Sequence, residues 1–374
     1  MGGFFGQGIS VGATQGLGGG FFGAPISTPT VSLDALIDLA YVGAAALVGV
    51  TATGNAAYSS DGGTTTHAVI APLASINAFV LVQGDGAGHA VAIGQDPNQG
   101  NRLVTTVDGG HTWADTTPAG MTGGVLSLYY SSSLSLFIAS PVANGTRVFS
   151  SPDGVTWTLH AVANRPDVFR FPSDHLVEIG GLIYIGGGSG AQRSADGLTF
   201  TQVLPPPLGG SYNMGPCYTG TLFGISMAAA FFPPVESEYT SATGANLSWT
   251  HRSDAISPFT SKPYPVLHAY NGQFVSGINA GNNQTFATSP DCITWTDVTP
   301  VGVPGFAATS VGVFLPTATA LYLFGAGVIH STNFMAWALD VAVTNTVNNM
   351  KTFSGAVVGC GADAGGNGLF FKVL

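Results

Sequence analysis

Positive charge is what this sequence has least of. Nine Lys and Arg stand against 19 Asp and Glu in 374 residues, a formal net charge of −10. No basic run exists, so the electrostatic footprint of a nucleic-acid binder is missing, and an anionic membrane surface is not an expected partner. Charge of either sign is scarce, at 7% of residues against roughly 25% in an average soluble protein. The three cysteines, Cys217, Cys292 and Cys360, are scattered. They form no CxxC pair and no zinc spacing, which argues against a disulfide framework. The chain opens on no basic stretch followed by an apolar core, so no signal peptide is read. The most apolar run, residues 36–50, is broken by Asp38 and Gly43 and is too short to span a bilayer. A soluble chain made in the cytoplasm, without membrane insertion, is expected.

Abundance points elsewhere. Hydrophobic residues make up 45% of the chain and glycine numbers 54. Gly costs about 1 kcal/mol in a helix interior but relieves the positive-φ positions of tight turns. The composition therefore suits many short strands joined by turns.

A repeat organises those strands. The segments SSDGGTTT (59–66), TVDGGHTW (106–113), SPDGVTW (151–157), SADGLTF (194–200), ATGANLSW (242–249), SPDCITW (289–295) and STNFMAW (331–337) recur 42–48 residues apart. Their anchors are Asp61, Asp108, Asp153, Asp196, Gly244, Asp291 and Asn333. All five tryptophans, Trp113, Trp157, Trp249, Trp295 and Trp337, fall at one place in the unit, and Phe200 fills it in the fourth copy. Upstream of most anchors lies an apolar run, a short turn and a second apolar run; Asn271-Gly272 is a typical two-residue hairpin turn. Each unit thus offers about four strands: a hairpin, a strand leading into the anchor and one carrying the aromatic.

A four-stranded unit of this length matches a propeller blade, and the predicted fold is all-β, a β-propeller of four-stranded antiparallel blades over residues 26–374. Seven anchors suggest seven blades. However, residues 351–373 align with 268–289, with Phe353 on Tyr270 and Gly355 on Gly272, and end where an eighth anchor would begin. Residues 26–31 could supply the missing fourth strand. Eight blades, closed by strands from both termini, is the favoured count, with seven plus a C-terminal lid or arm as the alternative.

The pattern S-x-D-G-x-T-W resembles the Asp-box, or BNR, repeat found in sialidases, xyloglucan-cleaving propellers, sortilin-type receptors and photosystem assembly factors. The resemblance spans residues from about 33 to 374. It implies that Asp61, Asp108, Asp153, Asp196 and Asp291 brace the turn between the third and fourth strands. It also implies that Trp113, Trp157, Phe200, Trp249, Trp295 and Trp337 wedge beneath neighbouring strands. Thr66 at the aromatic position, and Gly244 and Asn333 at the acid position, depart from the pattern and predict looser turns. The repeat says nearly nothing about activity.

Chemistry is thinly represented. Phe169-Arg170-Phe171-Pro172 looks like the arginine motif of sialidases, but it follows the third repeat rather than preceding the first. Only six arginines and three glutamates (Glu178, Glu236, Glu238) exist, a poor stock for three carboxylate-holding arginines and a Tyr–Glu pair. The eight histidines show no H-x-x-x-H spacing, which argues against a metal centre. No catalytic residue, metal or cofactor is expected.

Residues 1–25 form a Gly/Phe-rich arm in which Gly-Gly-Phe-Phe-Gly occurs twice, carrying Phe4, Phe5, Phe21 and Phe22. Such a segment is expected to order by docking onto a partner. The Pro- and aromatic-rich loop with Phe231, Phe232 and Tyr239 is a second candidate contact surface. A low-charge, repetitive β-protein of this kind is similar in composition to bacteriophage tail- or capsid-associated propellers. The function expected is a non-enzymatic virion structural or binding protein, whose arm contacts other virion proteins and whose rigid body contacts them or the host surface. The alternatives are a glycan-binding or glycan-cleaving propeller and an extracellular location.

Overall fold

The computed structural model describes residues 33–374 apart from 122, 142–146, 162–175, 188–189, 205–210, 230–235, 246–247, 254–265, 281–282, 301–312, 318, 354–355, 364 and 373–374. Every regular element among the described residues is a β-strand, and the chain is an eight-bladed β-propeller of antiparallel sheets. Blade one comprises β1 (Leu36–Tyr41), β2 (Leu47–Thr51), β3 (Ala56–Ser59) and β4 (His67–Val69). Blade two has β5 (Ala78–Gly84), β6 (Ala90–Asp96), β7 (Gly100–Thr106) and β8 (Ala114–Asp115). Blade three has β9 (Val125–Ser131), β10 (Leu136–Pro141), β11 (Arg147–Ser151) and β12 (Thr158–Ala161). Blade four has β13 (Leu176–Ile179), β14 (Leu182–Gly187), β15 (Gly190–Ser194) and β16 (Thr201–Leu204). Blade five has β17 (Ser211–Tyr218), β18 (Phe223–Ala229), β19 (Glu236–Ser241) and β20 (Thr250–Ser253). Blade six has β21 (Val266–Tyr270), β22 (Gln273–Ala280), β23 (Asn283–Ser289) and β24 (Thr296–Asp297). In each sheet the strands pair in chain order.

The last two blades share one sheet, ordered β25 (Val313–Pro316), β26 (Leu321–Ser331), β27 (Ala338–Phe353), β28 (Ala356–Ala362) and β29 (Gly368–Lys372). The rings of Tyr322 and His330, both in β26, lie 5.6 Å apart. Eight residues of straight strand would separate them by roughly 26 Å. So β26 folds back on itself and supplies two arms. β27 pairs with β28 from Thr346 to Phe353, which leaves its first half to border β26 as the outer strand of blade seven. Blade eight is then the second half of β27, β28 and β29. Its expected fourth strand, residues 26–31, lies outside the described residues, as do the arm 1–25 and its phenylalanines. The first described residues nevertheless run beside β29: Gly368 donates to the Leu33 carbonyl at 2.6 Å, and a Cβ on Gly368 would collide with the Asp34 carbonyl.

Local sequence explains the turns. Tyr270 pairs with Gln273, and both residues between them have positive φ, 50° at Asn271 and 76° at Gly272, as the tightest hairpin turn demands. Blades one, two, three and eight form one compact unit; blades four to six with most of seven form another. Within the first, apolar residues of blade one (Ala40, Val48, Val50) pack with Phe79, Val82, Ala92, Val104 and Trp113 of blade two.

One contact recurs between successive blades. The glycine of the repeated turn presses on the second strand of the blade before it. A Cβ on Gly110 would stand 2.6 Å from Val48 Cγ1. Gly154 would meet Val91 and Thr105, and Thr105 Oγ1 donates to the Gly154 carbonyl at 2.7 Å. Gly244 would meet Tyr184. Gly63 of blade one would meet Phe370 and Val358, both of blade eight, so blade eight stands to blade one as blade one stands to blade two. Gly154→Ala adds a methyl where Val91 already sits, at a φ of 72°. It is expected to lower stability by about 1–3 kcal/mol, read as a lower urea midpoint with unchanged slope.

Candidate functional site

Five of the seven repeated turns are closed by one carboxylate each. Asp153 Oδ1 accepts from the Val155 and Thr156 amides, each at 2.9 Å, and from Ser151 Oγ at 2.9 Å. Asp196 does the same with Leu198, Thr199 and Ser194, and Asp291 with Ile293, Thr294 and Ser289. In the two longer turns Asp61 takes the Thr65 amide and hydroxyl, and Asp108 those of Thr112. Partial burial pushes these five carboxyls up. The amides and hydroxyls around them more than offset that and hold each below the usual Asp value.

Two expectations need correction. Asn333 was expected to give a looser turn, yet its Oδ1 accepts from the Met335 and Ala336 amides at 2.9 and 3.1 Å, since an amide oxygen accepts as a carboxylate oxygen does. In the fifth copy Gly244 was placed at the acid position. The Gly244 amide donates to Ser241 Oγ at 2.8 Å as Gly197 donates to Ser194, and both glycines have positive φ. Thr243 therefore occupies the acid position, and its Oγ1 accepts the Ala245 amide at 3.3 Å.

The aromatics lie just before the fourth strands rather than within them. Trp113 and Phe200 are buried, whereas Trp157, Trp249, Trp295 and Trp337 are half-buried. Trp113 Nε1 donates to Gly110 and Trp157 Nε1 to Gly154, tying indole to turn. Where Thr66 replaces the aromatic, it is itself buried, and Phe370 packs against the turn at Gly63. Of the contact candidates, Tyr239 is half-buried, its ring 5.1 Å from that of His251; Phe4, Phe5, Phe21, Phe22, Phe231 and Phe232 lie outside the described residues, as does Arg170.

The structure assembles a polar cluster that the repeat did not announce, where blade eight meets blade one. Asp38 on β1 is buried. Its Oδ1 accepts from the Leu39 amide at 2.8 Å, from Asn349 Nδ2 at 2.7 Å and from Lys351 Nζ at 3.1 Å; its Oδ2 accepts from the Val82 amide at 2.8 Å. Lys351 also donates to the Val82 carbonyl, and Asn348 to that of Leu36. Three blades are thus stitched through one carboxylate. The only sequence trace was an acid and a lysine interrupting apolar strands. Elsewhere, the Tyr58 ring centroid lies 4.9 Å from that of His67 and 4.0 Å from that of His111.

No family model matches the chain, and no curated protein matches it. Solved structures resemble it in fold. YCF48 bound to D1 peptide gives a TM-score of 0.52 at 13% identity, over 92% of this chain and 95% of that one. Dihydro-heme d1 dehydrogenase NirN in complex with DHE gives 0.53 at 10% identity, over 81% of this chain and 66% of that one.

Five further aspartates brace turns of their own. Asp85, Asp96, Asp115, Asp297 and Asp363 each accept from an amide two residues on. Among the described residues no group of three or more His, Cys, Asp or Glu could hold a metal ion.

Acid should act in two steps. Burial pushes the His268 pKa from 6.5 down to about 4. The folded state therefore binds fewer protons than the unfolded one in that window, and stability falls by on the order of 3 kcal/mol as pH drops through it. The turn carboxylates contribute stability that is complete above about pH 3.9 and lost below it, as pH falls through their lowered folded values. Thermal melts from pH 8 to 2.5 are expected to show both descents, and His268→Gln to abolish only the first. Lys351→Met would strand the buried Asp38 charge and is expected to cost about 3 kcal/mol or more in urea unfolding, with Asp38→Asn in the same chain restoring part of it.

Proposed function

We propose that this chain is a non-enzymatic binding propeller whose repeated turns are Asp-box turns, and that it serves as a tail-associated structural component of a phage virion. The carrying observation is at the turn tips. Val107, Val155, Ile293 and Met335 are exposed, Met335 by 86%, and all sit within two residues of an anchor. Rigid turns that hold apolar side chains in water are contact points rather than chemistry. The carboxylates beside them are committed to backbone amides, which supports a scaffold over a hydrolase. YCF48 bound to D1 peptide is a propeller holding a polypeptide, which supports the scaffold's suitability for protein contact. The low charge and the Gly/Phe arm support a virion setting, with residues 1–25 as the anchor to other virion proteins.

A second reading, glycan binding at the host surface, is favoured by the Tyr58 ring flanked by His67 and His111. The test is co-sedimentation of the tagged chain with purified virions. Incorporation is expected for the full chain, lost on deleting residues 1–25, and reduced at least tenfold by Ile293→Ser with Met335→Ser while the melting temperature holds. Turnover of any host polysaccharide by the purified chain would overturn the non-enzymatic reading.

A further inference from the structure

Two of the three cysteines are brought together by the blade-to-blade register. Cys217 and Cys292 are both buried in one cluster with Leu267 and Phe274. Cys217 is the cross-strand partner of Gly224, so the two positions share a face of blade five with Cβ sites about 5 Å apart. That face is turned towards blade six, because a Cβ on Gly224 would run into Phe274 and Leu267.

The recurring contact locates Cys292. In blades one, two and four, the residue against the next blade's turn is Val48, Val91 or Tyr184. Each stands one place past the strand-two partner of the turn's leading Ser or Thr: Leu47 pairs with Ser59, Ala90 with Thr106 and Ile183 with Ser194. In blade five Phe223 pairs with Ser241, so the equivalent position is Gly224. The residue at the corresponding turn position of blade six is the one after Asp291, namely Cys292. Gly224 leaves that place on blade five without a side chain, and the space is filled by Phe274 and Leu267, the residues that cluster with both Cys217 and Cys292. Arg252 of β20 lies near both places. It donates to Thr240, the strand-three partner of Gly224, and its charge helps to lower the Asp291 pKa.

Cys292 also has a φ of 59°, where the corresponding turns hold glycine in all but the seventh copy. A non-glycine residue there is strained. In the seventh copy the cost is met by Phe334, which packs edge-on against Tyr270 at 5.3 Å.

We propose that Cys217 and Cys292 form a conditional staple between blades five and six: two thiols in the reduced chain, one disulfide after exchange with a low-molecular-weight disulfide. In the first exchange one protein thiolate attacks that disulfide and one small thiol leaves. In the second, the other protein thiolate attacks the mixed disulfide, the S–S bond between residues 217 and 292 forms and the second small thiol leaves. Two protein thiols are oxidised and one small disulfide is reduced. Both sulfurs are shielded from water, so the exchange requires local opening and is slow. Cys360, buried at the opposite end of the sequence beside Leu36, is the internal control.

The experiment incubates the full chain with oxidised glutathione in mild urea, removes both, and maps disulfides by mass spectrometry while counting free thiols. The expected result is a peptide pair linked through residues 217 and 292, a fall from three free thiols to one, and a higher melting temperature that dithiothreitol reverses. Cys292→Gly, which restores the residue that most of the turns carry, is expected to fold, keep both remaining thiols reduced and show no such rise. A chain that retains three thiols, links either residue to Cys360, or stops at glutathione adducts on separate residues overturns the proposal.

Discussion

The close approach of a repeated turn to side chains of the preceding sheet is the constraint on which the rest depends. A sheet of four short strands has two faces to cover and little area to do it with. Here the cover is a neighbouring sheet, and the distance between them is set where Gly110 meets Val48 and Gly154 meets Val91. The carboxylate beside each glycine keeps the turn rigid enough to make that contact, and the indole that follows ties itself to the same turn. Acid, glycine and aromatic recur together because each meets a different need of a single joint.

The end of the series needs something extra. The junction of blade eight with blade one carries both the apolar contact of Phe370 with Gly63 and the buried cluster of Asp38, Asn349 and Lys351. A buried charge with one partner removed is costly. This cluster therefore tolerates only the arrangement in which β27, β1 and β5 align in register. Apolar packing alone would permit sliding by a residue pair; a carboxylate with four donors does not.

The turn acids Asp61, Asp108, Asp153, Asp196 and Asp291 are engaged by amides of their own turns, and His268, whose pKa burial lowers, is inside a blade. Beside those acids the turns also hold exposed apolar side chains, Val107, Val155, Ile293 and Met335. The cysteine pair belongs to the same logic, since it lies at the joint between two blades where a covalent link would reinforce a contact that already exists.

The blade count, the strand order and the turn-bracing acids were legible in the sequence because each blade rewrites the same local requirements: an amide-capturing side chain, a positive-φ residue and an aromatic, at near-constant spacing. The fifth copy misled, since Thr243 and a longer loop do the work of an acid, and hydrogen-bonding capacity is not visible as residue identity. Asn333 misled for the opposite reason, an unfamiliar residue with the same acceptor. The proximity of Cys217 to Cys292, the four-donor environment of Asp38 and the approach of His111 to Tyr58 depend on which residues of different blades share a face. Those relations are fixed by inter-blade register, and only the packed sheets set it.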